Sequence, residues 1–208
     1  MRSVKRHGPR LGLGTAQFGL DYGITNDRGR SPENEVLAIL ETAARQGVSM
    51  LDTAPTYGEA EAVLGRTLPV PCPFAIVTKT PRISRMTVGE AVEHVDSTFR
   101  QSLTALNRPR VDGLLVHDAD DLCGPAGAAV WSRMCALRDE GLVGKLGVSV
   151  YTGAQVDAVL ERYPIDVIQV PFNALDHRLV ASGHLNRLAR QGVEIHARSL
   201  FLQGLLIS

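Results

Sequence analysis

Short apolar runs alternate with amphipathic stretches from one end of the chain to the other. The runs at residues 11–14, 48–51, 74–78, 111–116, 145–148, 166–170 and 193–197 read as strands. Most are so continuously apolar that both faces are expected to be buried, as in a parallel sheet built through crossover helices. Between them, Val88, Ala91, Val92, Val95, Phe99, Leu103 and Leu106 fall at three- and four-residue steps, which predicts one helix with a single apolar face. A second helix is predicted to start at Ser31-Pro32, a hydroxyl that can cap followed by a proline in the first turn, and to stop at Gly47. The phrase Arg-Gln-Gly-Val occurs at residues 45–48 and again at 190–193, each time where a helix should end on glycine and a strand begin. Glu140-Gly141-Leu142 is a looser version of the same junction.

Seven strands joined by helices make either a doubly wound open sheet or most of an eightfold barrel, and periodicity leaves both open. A dinucleotide-binding open sheet calls for G-x-G-x-x-G after its first strand. Here Gly12-Leu13-Gly14-Thr15-Ala16-Gln17 carries only the first half of that spacing.

Composition narrows the function classes. The 208 residues suit one domain; 44% are hydrophobic and 21% charged, which allows a sizeable core. Lysine plus arginine equals aspartate plus glutamate at 22 each, and no basic run is interleaved with aromatics, so neither nucleic acid nor an anionic membrane is an expected partner. Cys72, Cys123 and Cys135 are odd in number and far apart, which fits a reducing compartment. The opening Met1-Arg2-Ser3-Val4-Lys5-Arg6-His7 is basic but runs into Gly8-Pro9-Arg10 instead of an apolar stretch, so a cytoplasmic location is expected.

If the strands form a barrel, reactive groups sit at their C-terminal ends. Asp52 ends the second strand, Tyr57 follows in its loop, Lys79 ends the third and His117 ends the fourth. Adjacent strands lie about 4.8 Å apart, so these side chains can meet. Their chemistry is complementary: an ammonium beside a phenol lowers its pKa, a carboxylate keeps the ammonium charged, and an imidazole can bond a substrate oxygen. The other histidines, His7, His94, His177, His184 and His196, are expected to be structural or surface groups. Asp118, Asp120 and Asp121 are expected to form a solvated loop, with no metal proposed.

Within Leu51-Asp52-Thr53-Ala54-Pro55-Thr56-Tyr57-Gly58, Val77-Thr78-Lys79 and Leu115-Val116-His117, these four residues closely resemble the aldo-keto reductase family. The resemblance extends to Gly12-Leu13-Gly14-Thr15, Gly147-Val148-Ser149 and Ile168-Gln169-Val170. It implies a TIM-type (β/α) barrel and NADPH-dependent reduction of a small aldehyde or ketone, sugar-like compounds included. Tyr57 would be general acid, Lys79 and Asp52 its tuning pair, and His117 the group that orients the carbonyl. Ser149 and Gln169 would hold the nicotinamide carboxamide, and Arg198, Ser199, Gln203 and Gly204 would line the rest of the cofactor site. Two positions depart from the family pattern: Val150 stands where an asparagine usually follows Ser149, and Arg198 stands where a tyrosine usually stacks on the nicotinamide.

The sequence ends at Ser208, shortly past the seventh strand. The expectation is therefore one C-terminally truncated domain over residues 1–208, an incomplete barrel of about seven strands. The segment that anchors the adenosine 2′-phosphate would be missing, NADPH binding impaired, and the first and seventh strand edges open to association between copies. A missing anchor also leaves room for a cofactor-independent epimerase or dehydratase acting on the same acid–base group, or for a non-catalytic binding or regulatory barrel.

Overall fold

The structure, a computed structural model, describes residues 11–206; the basic opening with His7, and Ile207, lie outside the described residues. Strands and helices alternate: β1 (Gly12–Gly14), α1 (Ala16–Gly19), α2 (Glu33–Arg45), β2 (Met50–Asp52), α3 (Ala60–Thr67), β3 (Ala75–Lys79), α4 (Val88–Ala105), β4 (Val111–Val116), α5 (Ala119–Cys123), α6 (Gly127–Asp139), β5 (Val143–Ser149), α7 (Gly153–Arg162), β6 (Val167–Pro171), α8 (Arg178–Ala181), α9 (His184–Arg190) and β7 (Glu194–Arg198). A short 3-10 turn, Leu202–Gly204, follows.

All seven predicted strands are present, several displaced toward their C-terminal ends. The cause is visible at the glycine junctions. Gly47, Gly141 and Gly192 take left-handed φ values of 76°, 79° and 78°. The next residue's N–H then reaches back over the helix end: Val48 to Ala43 O, Leu142 to Leu137 O and Val193 to Leu188 O. Val48 thus closes α2 instead of opening β2. The helix predicted from the 88–106 spacing forms over Val88–Ala105, its start fixed by a reciprocal cap between Thr87 and Glu90. Its buried face is Ala91, Val95, Phe99, Ser102 and Leu106, whereas Val88 is exposed. At α2 the expected Ser31 cap does not form: Pro32 occupies the cap position in extended backbone, and the Ser31 N–H is spent on Gln17 O. Glu33 and Glu35 supply negative charge to that first turn instead.

The sheet is parallel throughout, in the order β1-β2-β3-β4-β5-β6-β7, so every crossover leads to the adjacent strand. It is curled. β2 and β6 are four strand spacings apart, roughly 19 Å on a flat sheet, yet Gln169 Nε2 donates to Asp52 Oδ1 at 2.9 Å. Only a sheet bent around a common axis brings those ends together, and the result is an incomplete (β/α) barrel. Helices pack outside in a large core that includes Leu40, Leu64, Phe99, Met134 and Leu146. Inside the curl, Val77, Leu115 and Val167 form a small second core with Met50 against it. The expectation of strands buried on both faces holds for β3 to β6; β1 and β7 are partly exposed because, among the described residues, each has a neighbour on one side only.

Candidate active site

Past the strand ends, backbone bonds hold the loops in place. The Thr15 N–H and hydroxyl both donate to Asp52 O, the Thr53 N–H donates to Val77 O, and the Thr80 N–H donates to Leu115 O. The His117 N–H donates to the Thr80 hydroxyl. The Tyr57 loop turns on a Tyr57 N–H to Ala54 O bond and packs so tightly on α1 that a Cβ at Gly19 would lie 1.9 Å from Tyr57 O.

This framework brings the four predicted side chains together. Lys79 is buried, and its Nζ donates to Asp52 Oδ2 at 2.8 Å, to Thr53 O at 2.9 Å and to the Tyr57 hydroxyl oxygen at 3.3 Å. Three acceptors match the three N–H groups of an ammonium. The Tyr57 and His117 rings meet edge to face, centroids 6.0 Å apart, and His117 Nδ1 lies 3.3 Å from Thr56 Oγ1. Asp52, Tyr57 and His117 line a cavity of about 890 Å³, beneath which Lys79 is buried.

Electrostatics departs from the sequence expectation at one point. Burial pushes the Tyr57 phenol above its ordinary value, and the Lys79 ammonium, which pulls it down, does not overcome that. The phenol therefore keeps its proton at neutral pH. Burial, followed by the Lys79 and Arg82 charges, lowers His117 from 6.5 to about 4, so its ring is neutral.

The six residues assigned by resemblance to the cofactor, Ser149, Gln169, Arg198, Ser199, Gln203 and Gly204, border the same cavity. Ser149 and Gln169 are register partners at the ends of β5 and β6. Gln169 also bonds Asp52, so both oxygens of that carboxylate are engaged. The Arg198 guanidinium lies 4.1 Å from the centroid of the Tyr151 ring and donates to Val150 O at 3.2 Å. After β7 the backbone is left-handed at Ser199, Leu202 and Gln203, with φ of 61°, 47° and 57°, and at Gly204.

Two residues beside the site were not anticipated. Tyr151 lies two positions past the end of β5, where the strand-end rule would have found it. Glu61 is buried on α3, on the same apolar side as Leu64 and Leu68, a polar residue where the helical pattern calls for an apolar one. The remaining polar candidates have structural partners. Asp118 caps α5 and pairs with Arg82, Asp120 accepts from Gln155, and Asp121 accepts from the Ile83 N–H. His184 bonds Ser182, His196 bonds Glu194, and His177 packs on Phe172. Among the described residues no group of three or more His, Cys, Asp or Glu could hold a metal, and no helix is long and apolar enough to cross a membrane. Cys72, Cys123 and Cys135 are free thiols.

Comparison with known proteins gives a consistent result. The profile of the Aldo/keto reductase family matches residues 10–208. Aldo-keto reductase YhdN of Bacillus subtilis is 27% identical over 186 residues, covering 83% of this chain and 53% of its own length. The chain thus spans about half the length of that curated relative. Among solved structures, PA4992 of Pseudomonas aeruginosa, itself provisionally assigned as an aldo-keto reductase, superimposes with a TM-score of 0.78 at 26% identity, covering 96% of this chain and 82% of that one. The thermostable aldo-keto reductase Tm1743, solved with the inhibitor epalrestat, gives a TM-score of 0.72 at 25% identity, covering 99% and 73%.

Proposed function

Since the chain belongs to the aldo/keto reductase family, we propose that it reduces the carbonyl of a small aldehyde or ketone to an alcohol with NADPH, Tyr57 giving the proton. The observation that carries this reading is the Lys79 ammonium, bonded at once to Asp52 and to the Tyr57 oxygen at the floor of the cavity. Because that oxygen accepts from Lys79, the phenol's own proton is left for an acceptor in the cavity. Burial keeps the proton in place until a substrate oxygen gains negative charge, which suits an acid at neutral pH. The phenolate that remains is held 3.3 Å from an ammonium. His117, neutral and turned edge-on to Tyr57, offers its second ring nitrogen to the same substrate oxygen.

The residues along the cavity suit a nicotinamide dinucleotide. Gln169 Nε2 is committed to Asp52, which leaves Oε1 as an acceptor for a carboxamide N–H, and the Ser149 hydroxyl beside it can complete the pair. Arg198, held over the Tyr151 ring, would flank the nicotinamide. In the left-handed turn at residues 199–204 the Leu202 and Gly204 N–H groups are spent on Ser199 O and Phe201 O, so phosphate oxygens would draw on the turn's other N–H groups. Bound there, the dinucleotide supplies the hydride.

Calorimetric titration of NADPH into the purified chain, followed by loss of NADPH absorbance with a panel of aldehydes and ketones, tests the reading. Saturable binding and carbonyl-dependent oxidation are expected. Turnover of a hydroxy-carbonyl compound without NADPH would replace the reading with cofactor-free acid–base chemistry, and neither binding nor turnover would leave a non-catalytic barrel.

A further inference from the structure

Tyr57 and Lys79 reach each other from different elements: Tyr57 from the loop that enters α3, Lys79 from the last position of β3. A buried polar contact between those two elements lies at their catalytic end. Glu61 stands in the first turn of α3, four residues after Tyr57, and is only 5% exposed. Its Oε1 accepts from the hydroxyl of Thr78 at 2.6 Å, and Thr78 is the residue before Lys79. Neighbouring side chains on a strand point to opposite faces. Thr78 therefore faces the helix layer and Glu61, while Lys79 faces the inside of the curl and Tyr57. A carboxylate thus lies one backbone thickness behind the ammonium.

We propose that Glu61, although it touches neither substrate nor cofactor, is a positioning residue for the Tyr57–Lys79 pair, tying the Tyr57 loop to the Lys79 strand and placing a second negative charge behind the ammonium. The inference deepens the reading of the cavity as an acid–base centre and rests on it. The surroundings of Glu61 are consistent with a charged partner for Lys79. Burial pushes its carboxyl above the ordinary range, and the Thr78 hydroxyl, the Ser102 hydroxyl of α4 and the Lys79 ammonium pull it back. Lys79 is the charged group acting on it. Buried carboxylates without a hydrogen-bonded or charged partner are strongly disfavoured, and here the partners are the strand that carries Lys79 and the helix next to it.

Linkage makes the idea testable without any turnover. If the Glu61 charge acts on Lys79, removing the ammonium must raise the Glu61 pKa by the same coupling, on the order of one unit for charges separated by one strand. The measurement is a carbon NMR titration of the Glu61 carboxyl in cofactor-free wild type and in Lys79→Met. Should Lys79→Met fail to fold because it strands Asp52, Asp52→Asn compared with Asp52→Asn/Lys79→Met isolates the same ammonium without the unpaired carboxylate. An upward shift of about one unit is expected, and superimposable titrations would overturn the inference whatever the protein catalyses.

The tie is read separately through the pH profile of kcat in two variants. Glu61→Gln keeps an acceptor for Thr78 but loses the charge, so the basic limb should move to lower pH. Thr78→Val keeps the charge and loses the tie, so kcat should fall with KM and the limb in place. A uniform loss in both variants with no movement of the limb would mark Glu61 as a structural residue only.

Discussion

Replacing His117 with glutamine removes a ring that the fold holds neutral, and the consequence for stability follows from its depressed pKa. In the folded chain the ring titrates at about 4, against an ordinary 6.5, because it is buried and faces Lys79 and Arg82. As pH falls, the unfolded chain therefore takes up this proton first. Stability from the neutral ring is complete above about pH 6.5 and is lost as pH drops toward 4. Linkage puts the loss at roughly 2 kcal/mol by pH 5 and about 3 kcal/mol by pH 4. Urea unfolding of wild type and His117→Gln, measured at intervals between pH 7.5 and 4.5, isolates this term, since every other titrating group is common to both. The variant should be less sensitive to acid, the two stability curves converging as pH falls. Parallel curves across that range would show that His117 is not held neutral, and the case for it as an uncharged donor to a substrate oxygen would fail with it.

Other substitutions probe the helix cap, the helix packing and the cavity wall separately. Thr87→Ala breaks the reciprocal cap of α4 and should cost about 1 kcal/mol in denaturant unfolding. Gly65→Ala places a methyl 2.0 Å from Ala105 O, where α3 meets the end of α4. Backbone cannot yield there as a side chain would, and a loss of about 1–3 kcal/mol or more is expected; wild-type stability would mean the two helices do not approach so closely. Arg198→Tyr removes a positive charge from the flank of the proposed nicotinamide site, so affinity for NADP⁺ should rise relative to NADPH, and an unchanged ratio would place Arg198 away from the ring.

The repeating β/α order was legible because each strand is a short apolar run and three helices end on a left-handed glycine, signals carried by neighbouring residues. The strand-end rule likewise found Asp52, Lys79 and His117, whose positions in the curl follow from where their strands stop. What periodicity could not supply was the curl itself, which shows only in contacts between distant strands such as Gln169 to Asp52. The net direction of the Tyr57 shift is hidden for a related reason: the sequence names the ammonium neighbour, which does pull the phenol down, but not the burial that outweighs it. Glu61 escaped notice because a glutamate on a short helix reads as solvent-facing until the packing of α3 against β3 and α4 is known. Ser31 is the opposite case, a good capping residue type that stands one position too early: the first turn of α2 is bonded to Pro32 O, and the Ser31 N–H bonds Gln17 O.

In the proposed reaction Tyr57, poised by Lys79 at the cavity floor, delivers the proton to a carbonyl oxygen. Single-turnover reduction by Tyr57→Phe, with NADPH bound in advance, tests it most directly. Folding and NADPH binding should be unimpaired, with the reduction step slowed roughly 10²–10⁴-fold. A reduction rate equal to that of the wild type would contradict it.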